Sequence, residues 1–290
     1  MKFWWLGVWL LAAASELPGQ QLRRPACSMC AEWNQPQQPF RVYGNTYYVG
    51  PRGLSSILIT SDNGDVLIDG AIAGSATQIA DHIRQLGFRL KDVKLILNTH
   101  AHHDHAGGIA ALQRMTGARV IASPWSAEVF KAGGVGRDDP QYGDIRGIEP
   151  ISQVRVLHEN ETLHVGSIAI TAHATPGHTP GGTSWTWISC QDGKCLNIVY
   201  ADSIGAVSRE GWMFSQHPGA VASFDKSFAF LEAVPCDVLI TPHPGASSFE
   251  DRMSGKLSGA GDGGDCRKLA QDGRNGLKKR LAKEKSAKAP

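Results

Sequence analysis

The six residues His100–His105 read HAHHDH: four histidines, one aspartate and a single inert alanine. Neutral imidazoles and a carboxylate suit a borderline cation such as zinc. His100 and His102 alternate, so on an extended backbone both rings point to one side. Asp104 and His105 follow where the chain turns toward a helix, and they can aim at a neighbouring point. One loop thus addresses two metal ions but completes neither, because each zinc ion takes at least three protein ligands. The missing ligands must come from elsewhere. Two histidines lie in stiff Pro/Gly surroundings after apolar runs: His178 in TPGHTPGG and His243 in TPHPG. The count then closes. His100, His102 and His178 surround one ion; Asp104, His105 and His243 surround the other. His82, His158, His164, His173 and His217 read as ordinary core or surface histidines. His103 points to the opposite side of the loop and can touch the site only from outside.

These ligands must be held by the elements between them. FRVYGNTYYVG and SSILITSDNGDVLIDG alternate in hydropathy and carry turn chemistry at Asn63-Gly64, which predicts a meander of strands. SATQIADHIRQLGF places apolar residues at Ile79, Ile83 and Leu86, predicting a helix capped by Ser75 and ended at Gly87. DVKLILN is a short apolar strand running into the histidine loop. HAGGIAALQRMTG is the next helix, followed by strand ARVIAS and helix WSAEVFKAGG. The polar stretch VGRDDPQYGDIRGIEP is a long connection able to overhang a site. Strands return in SQVRVLH, ETLHVG, SIAITAHAT, TSWTWISC and CLNIVYADS. AVASFDKSFAFLEAV is helical, CDVLITPHP is a further strand, and the end is helical. Strand-rich and helical stretches therefore come twice in similar order. That predicts an α/β protein of two βα halves packed sheet to sheet with helices outside, a four-layer αββα sandwich.

Lys2 is followed by the apolar run FWWLGVWLLAAA, with small residues at Ala12 and Ala14. A cationic start and about a dozen apolar residues predict a cleaved signal peptide over 1–20. The run is too short for a spanning helix, which needs about 20 apolar residues. Residues 21–38 form an N-terminal extension. Residues 39–290 make one domain, ending in a basic helix and tail. From Arg267 to Pro290 there are nine Lys/Arg and two acids, on a chain of net charge +2. No aromatic residues interleave with these charges, so they read as a solvated helix face with no nucleic-acid partner. No membrane partner is expected after leader removal, and the protein is read as a monomer. In an exported chain six cysteines favour disulfides. Asp192-Gly193 is a hairpin turn that sets Cys190 opposite Cys195. Cys236 and Cys266 then pair by elimination. Cys27 and Cys30 form C-S-M-C, a spacing that zinc or redox sites use, but no second CxxC completes a zinc site, so a small disulfide or a loosely held terminus is the better reading.

HAHHDH resembles the H-x-H-x-D-H signature of the metallo-β-lactamase superfamily. LIDG, with Asp69, resembles its earlier strand-end motif, whose aspartate supports the metal loop without binding metal. TPGHTPGG, YADS and TPHPG follow in the family's order, so the resemblance runs from about Pro39 to the end. It is nearest to the third subclass of the class B β-lactamases. His100 stands at the first motif position, and Ser203 where the first subclass has a zinc-binding cysteine. SWTW, PCDVLITPHPGAS and the Cys236/Cys266 pair are also similar to that subclass. The resemblance implies an αββα fold and the six ligands chosen above. It also implies two Zn²⁺ per chain sharing a water of lowered pKa. The substrate is then a small β-lactam: periplasmic hydrolysis of penicillins, cephalosporins and carbapenems, conferring antibiotic resistance. Asp104 would orient or accept the proton, and Ser203 would hold water or the substrate carboxylate. One position departs from the pattern. Relatives carry Ser or Thr two residues beyond the serine, where this chain has Gly205 and no hydroxyl.

The same scaffold hosts other hydrolases. A glyoxalase-II-like thioester hydrolase or lactonase would use Asp202, from ADS, to bridge both metals. Alternation along a strand lets Asp202 or Ser203 face the metals, not both. Ser203 is preferred because six ligands are already complete. A non-catalytic periplasmic zinc-binding protein is a third reading. Two sites with three protein ligands each leave open coordination positions, which argues for catalysis.

Overall fold

The computed structural model describes residues 1, 27–247, 249–254 and 265–286, so the expected leader lies outside the described residues apart from Met1. The first sheet contains β1 (Phe40–Tyr43), β2 (Thr46–Tyr48), β3 (Ile57–Ile59), β4 (Asp65–Ile68), β5 (Val93–Leu97), β6 (Arg119–Ala122) and β7 (Val154–Val156), side by side in that order. β1 to β4 run antiparallel as a meander, and β4 to β7 run parallel. The second sheet contains β8 (Thr162–Val165), β9 (Ile168–Ala174), β10 (Thr183–Gln191), β11 (Lys194–Tyr200) and β12 (Val238–Ile240), ordered β12-β11-β10-β9-β8. β8 to β11 are antiparallel, and β11 pairs with β12 in parallel.

Side-chain alternation sorts these strands into layers. Val66 and Ile68 of β4 enter a core shared with Trp185 and Trp187 of β10 and Ile198 and Tyr200 of β11. Leu67, between them, faces the other way. It packs with Ile79 and Ile83 of the helix Ala76–Gln85 and with Ile109 and Leu112 of the helix Ile109–Thr116. On the far side Val199 and Leu239 meet Phe224, Phe228 and Leu231 of the helix Pro218–Ala233, and Ala270 and Leu277 of the helix Asp265–Ser286. A sheet buried on both faces has a helix layer outside it, so three cores separate four layers. The αββα sandwich expected from the sequence is the observed architecture.

Local details differ from the sequence reading. The strands that return after the long connection do not form one sheet: β7 pairs with β6 in the first, and the crossover to the second falls between β7 and β8. The stretch HAGGIAALQRMTG is two helices, His103–Ala106 and Ile109–Thr116, parted at Gly107-Gly108. The break allows a close approach. A side-chain carbon on Gly108 would stand 2.2 Å from the carbonyl oxygen of Gly70, and one on Gly70 2.8 Å from the amide of Ile109. Ser75 does not cap its helix; its hydroxyl donates to Asn34 Oδ1 at 2.6 Å, tying the N-terminal segment down.

The cysteines form three disulfides, Cys27–Cys30, Cys190–Cys195 and Cys236–Cys266. Cys190 and Cys195 are paired residues across the β10–β11 hairpin, as its turn chemistry predicts.

Candidate metal centre

Parallel strands leave their C-terminal ends on one edge of the sandwich, and the histidine loop starts there. β5 ends at Leu97 and β4 ends at Ile68 beside it. Asp69 follows β4 with a left-handed backbone at φ 63, which is strained for a residue with a side chain. Its carboxylate is fully buried and anchors the loop from beneath. Oδ1 accepts from Thr99 N at 2.8 Å and Asn98 Nδ2 at 3.0 Å; Oδ2 accepts from Thr99 Oγ1 and Tyr200 OH, each at 2.8 Å. Asp69 therefore supports the loop, as the resemblance implies. Asn98 Nδ2 also donates to His100 O at 2.9 Å, so the loop is pinned on both sides of its first histidine.

The six sequence-picked ligands come together. His100, His102 and His178 present ring nitrogens within 4.8 Å of one another, and so do ring nitrogens of His100 and His105 with a carboxylate oxygen of Asp104. His243 joins the second group through Asp104: its Nε2 and that of His105 each lie 3.3 Å from Asp104 Oδ2. His100 thus stands between the two groups. The His100 ring centre is 4.9 Å from that of His178 and 4.5 Å from that of His105.

The outer ring nitrogens are tied. His100 Nδ1 donates to Asp202 Oδ1 at 2.6 Å, His102 Nε2 to Asp139 Oδ2 at 3.0 Å, and His178 Nδ1 to Gly205 O at 2.9 Å. Each bond fixes ring orientation and tautomer and leaves the other nitrogen with a free lone pair. His100 Nε2 and both nitrogens of His105 are buried without a hydrogen-bond partner. A buried lone pair without a partner is costly, and a cation satisfies the one on His100 and the one that His105 keeps on its unprotonated nitrogen.

The electrostatics favour a cation as well. Burial, then the neighbouring His105 and His102, hold His100 well below the ordinary histidine value. Burial, then His100 and His102, lower His178 to about 3. Burial alone would raise Asp104, but His105, His243 and His100 outweigh it and hold the carboxyl well below its usual range. At neutral pH His100, His105 and His178 are thus held as neutral imidazoles and Asp104 as a carboxylate, the protonation states that metal binding requires.

Above the cluster lies a cavity of about 470 Å³, lined by Trp33, His102, Asp104, Gln141, His178, Ser203, Gly205 and His243 among others. Asp202 and Ser203 both line it. The alternation that was expected to select one of them does not operate, because β11 ends at Tyr200. Asp202 has only one of its oxygens engaged, and Oδ2 is buried without a hydrogen-bond partner. Its Oδ1 holds His100 Nδ1, and its Oδ2 sits where a side-chain carbon on Gly182 would be 2.4 Å away. His103 stands on the cavity wall, with Nδ1 4.0 Å from Asp104 Oδ1. Sequence reasoning missed Asp139 and Trp33. Asp139 comes from the long connection, which also brings Gln141 and Ile145 over the site. Trp33 comes from the N-terminal extension and packs its ring 5.2 Å from that of His243.

The metallo-β-lactamase superfamily model matches residues 49–191. Rm3 metallo-β-lactamase is 50% identical, with a TM-score of 0.86 over 90% of this chain and 100% of that one. MEM-A1, a subclass B3 metallo-β-lactamase from a soil metagenome library, is 46% identical, with a TM-score of 0.85 over 88% and 100%. A curated relative, the hydroxyacylglutathione hydrolase of Anaeromyxobacter dehalogenans (strain 2CP-C), is 33% identical over 95 residues; the match spans 32% of this chain but only 28% of that protein. Sharing half its residues with a solved metallo-β-lactamase over that protein's whole length, and carrying the histidine loop at its strand ends, the chain belongs to the metallo-β-lactamase superfamily, alongside its subclass B3 members.

Proposed function

We propose that the protein is a zinc-dependent β-lactamase that opens the lactam amide of penicillins, cephalosporins and carbapenems and thereby confers antibiotic resistance. Two zinc ions fit the donor set: one held by His100, His102 and His178, the other by Asp104, His105 and His243. The observation that carries this reading is the convergence of six nitrogen and oxygen donors, from three distant segments, beside one cavity. Bound zinc supplies an activated water and an electrophile for the lactam carbonyl. The chain's own part is positional. Asp202, Asp139 and the Gly205 carbonyl aim three imidazoles inward. Asp104 stays anionic among its histidines and can orient or take up a proton. Ser203 offers its hydroxyl to water or to the substrate carboxylate, and Trp33, Ile204 and Leu269 cover the apolar part of the ligand.

The thioester-hydrolase reading needs Asp202 on both metals, whereas here its Oδ1 is committed to His100 Nδ1 and the closely matching solved structures are metallo-β-lactamases. A zinc buffer does not need a substrate-sized cavity over its donors. All six ligands come from one chain, so a monomer suffices. Three disulfides fit an oxidising compartment and, with the leader-like N-terminus, support a periplasmic location. No helix among the described residues is long and apolar enough to cross a membrane.

The test uses purified mature protein with a penicillin, a carbapenem and a thioester, each followed by absorbance. Hydrolysis of both β-lactams is expected, lost with chelator and restored by zinc, with two zinc ions per chain by elemental analysis. Fast thioester cleavage without turnover of any β-lactam would overturn the reading.

A further inference from the structure

The Cys27–Cys30 disulfide stands beside the metal centre without belonging to it. Both sulfurs lie within 4.8 Å of a ring nitrogen of His103. Neither ring nitrogen of His103 has a hydrogen-bond partner, although both atoms are buried. His103 sits between His102 and Asp104 in the chain and is the one residue of the loop's four histidines that the six-ligand set leaves over. The cysteines occur as C-x-x-C in the short helix Cys30–Trp33 and the turn before it. That spacing is the one zinc sites use to bring two thiolates to one ion. The segment is fastened in place, with Gly53 N donating to Trp33 O at 3.1 Å and Arg52 N to Gln35 O at 2.9 Å.

We propose that Cys27, Cys30 and His103 form a third metal site, a Cys₂His set for a thiophilic divalent ion such as zinc, which opens when the Cys27–Cys30 disulfide is reduced. Bond lengths of about 2.3 Å to sulfur and 2.0–2.1 Å to nitrogen place tetrahedral ligands about 3.5–3.8 Å apart. The bonded sulfurs must separate, which only cleavage of the disulfide permits, while His103 is already within reach. A phosphine reductant gives a balanced route. Phosphorus attacks one sulfur, the S–S bond breaks, and water hydrolyses the phosphonium. The products are the phosphine oxide and two thiols. Metal binding then releases the two thiol protons, and water takes the fourth position. The disulfide and the metal are alternative links for the same segment. The oxidised form is the one an oxidising compartment keeps, and the dithiol form precedes oxidation.

The segment's position gives the switch a consequence. Trp33, three residues after Cys30, covers His243 at the cavity rim, and its ring centre lies 6.5 Å from that of His103. A metal drawing the cysteines onto His103 acts on the same wall that a substrate must pass.

The experiment uses the zinc-loaded full mature protein, reduced with a water-soluble phosphine under anaerobic conditions and titrated with cobalt(II). The expected result is one further equivalent of cobalt with a near-ultraviolet thiolate-to-cobalt charge-transfer band. The six ligands of the catalytic centre contain no sulfur and cannot produce that band. The unreduced protein should take up no such equivalent. Cys27→Ser/Cys30→Ser, reduced in parallel, should lose the band, and His103→Ala should weaken cobalt binding about tenfold or more. A band surviving in the double variant would assign the sulfur to another cysteine pair and overturn the proposal. So would unchanged affinity in His103→Ala. A second measurement needs no variant: alkylation of the reduced wild-type protein, read by peptide mass. Metal should slow modification of Cys27 and Cys30 by about tenfold or more; equal rates with and without metal would overturn the proposal.

Discussion

Asp139→Asn should loosen one metal ion and leave the other nearly untouched. Asp139 is fully buried and accepts two hydrogen bonds, from His102 Nε2 at 3.0 Å on Oδ2 and from Gln141 N at 2.7 Å on Oδ1. With Nε2 committed as a donor, Nδ1 is the only lone pair that His102 can give to a cation. Asparagine has the same shape but only one acceptor atom, so one donor must face an NH₂ group. If the amide oxygen stays on Gln141 N, the imidazole loses its partner and both tautomers become accessible. A hydrogen bond to a charged acceptor contributes about 1.5–3 kcal/mol. At about 1.4 kcal/mol per decade that is roughly a 10- to 150-fold loss of affinity, similar to the 10–100-fold typical of groups behind metal-bound histidines. Removing an anion next to a dication acts in the same direction.

The assay is stepwise competition for zinc against a chromophoric chelator at neutral pH, with urea unfolding of the metal-free protein in parallel. One equivalent should weaken by about tenfold or more and the other by less than about threefold. Asp202→Asn should act likewise through His100, whose Nδ1 is 2.6 Å from Asp202 Oδ1. If folded Asp139→Asn binds both equivalents within about twofold of wild type, the carboxylate does not set the His102 tautomer. The ligand assignment of His102 then fails with it.

Three other changes probe the rest of the site. Gly205→Ser fits sterically, since a side-chain carbon there would meet only Val207 Cγ2 at 3.7 Å, an ordinary contact. The added hydroxyl should lower KM for β-lactams with little change in kcat, because carboxylate holding is shared by ground and transition states; an unchanged KM means the carboxylate is held elsewhere. Breaking Cys236–Cys266, which spans 30 residues, should cost about 3–4 kcal/mol of stability in urea, against about 2 kcal/mol for Cys190–Cys195, which spans 5. The reverse order would put strain rather than chain entropy in control. In the metal-free protein, burial raises the Asp104 carboxyl but its histidine neighbours more than reverse this. Its charge therefore contributes stability above the unfolded value near 3.9, and the contribution fades as pH falls through the lower folded value. Asp104→Asn should thus destabilise equally at about pH 6 and 5 and less near pH 3; a cost that grows on acidification would contradict that sign.

The sequence made the candidate ligands legible because each carries a local mark. HAHHDH concentrates donors where an apolar strand ends, and His178 and His243 are framed by prolines and glycines. The layers were legible for a similar reason, since Leu67 against Val66 and Ile68 is a period-two pattern that any sheet imposes. Groups whose role depends on tertiary neighbours carry no such mark. In RDDPQ nothing separates Asp138, which accepts from Trp125 Nε1 at 2.6 Å, from Asp139, which holds His102. Trp33 meets His243 across most of the chain. β7 is the short run Val-Arg-Val, largely exposed, and its pattern does not say which sheet it joins.

The supporting carboxylates, of which only Asp139 carried no mark in the sequence, share a physical task. Asp69, Asp139 and Asp202 are buried carboxylates that hold the loop or a ring without being among the six ligands. Burial pushes both Asp69 and Asp202 up to about 7, against the hydrogen bonds from Thr99 and Tyr200 for Asp69 and the nearby His178 for Asp202. Left to the protein alone, these groups are poised between charged and neutral. A divalent cation a few ångströms away favours the carboxylate form. The anionic carboxylate is in turn the stronger acceptor for the imidazole N–H it must hold. Metal and supporting carboxylates therefore stabilise each other. That reciprocity offsets the backbone strain at Asp69 beneath the loop and the orphaned nitrogens on His100 and His105 within it.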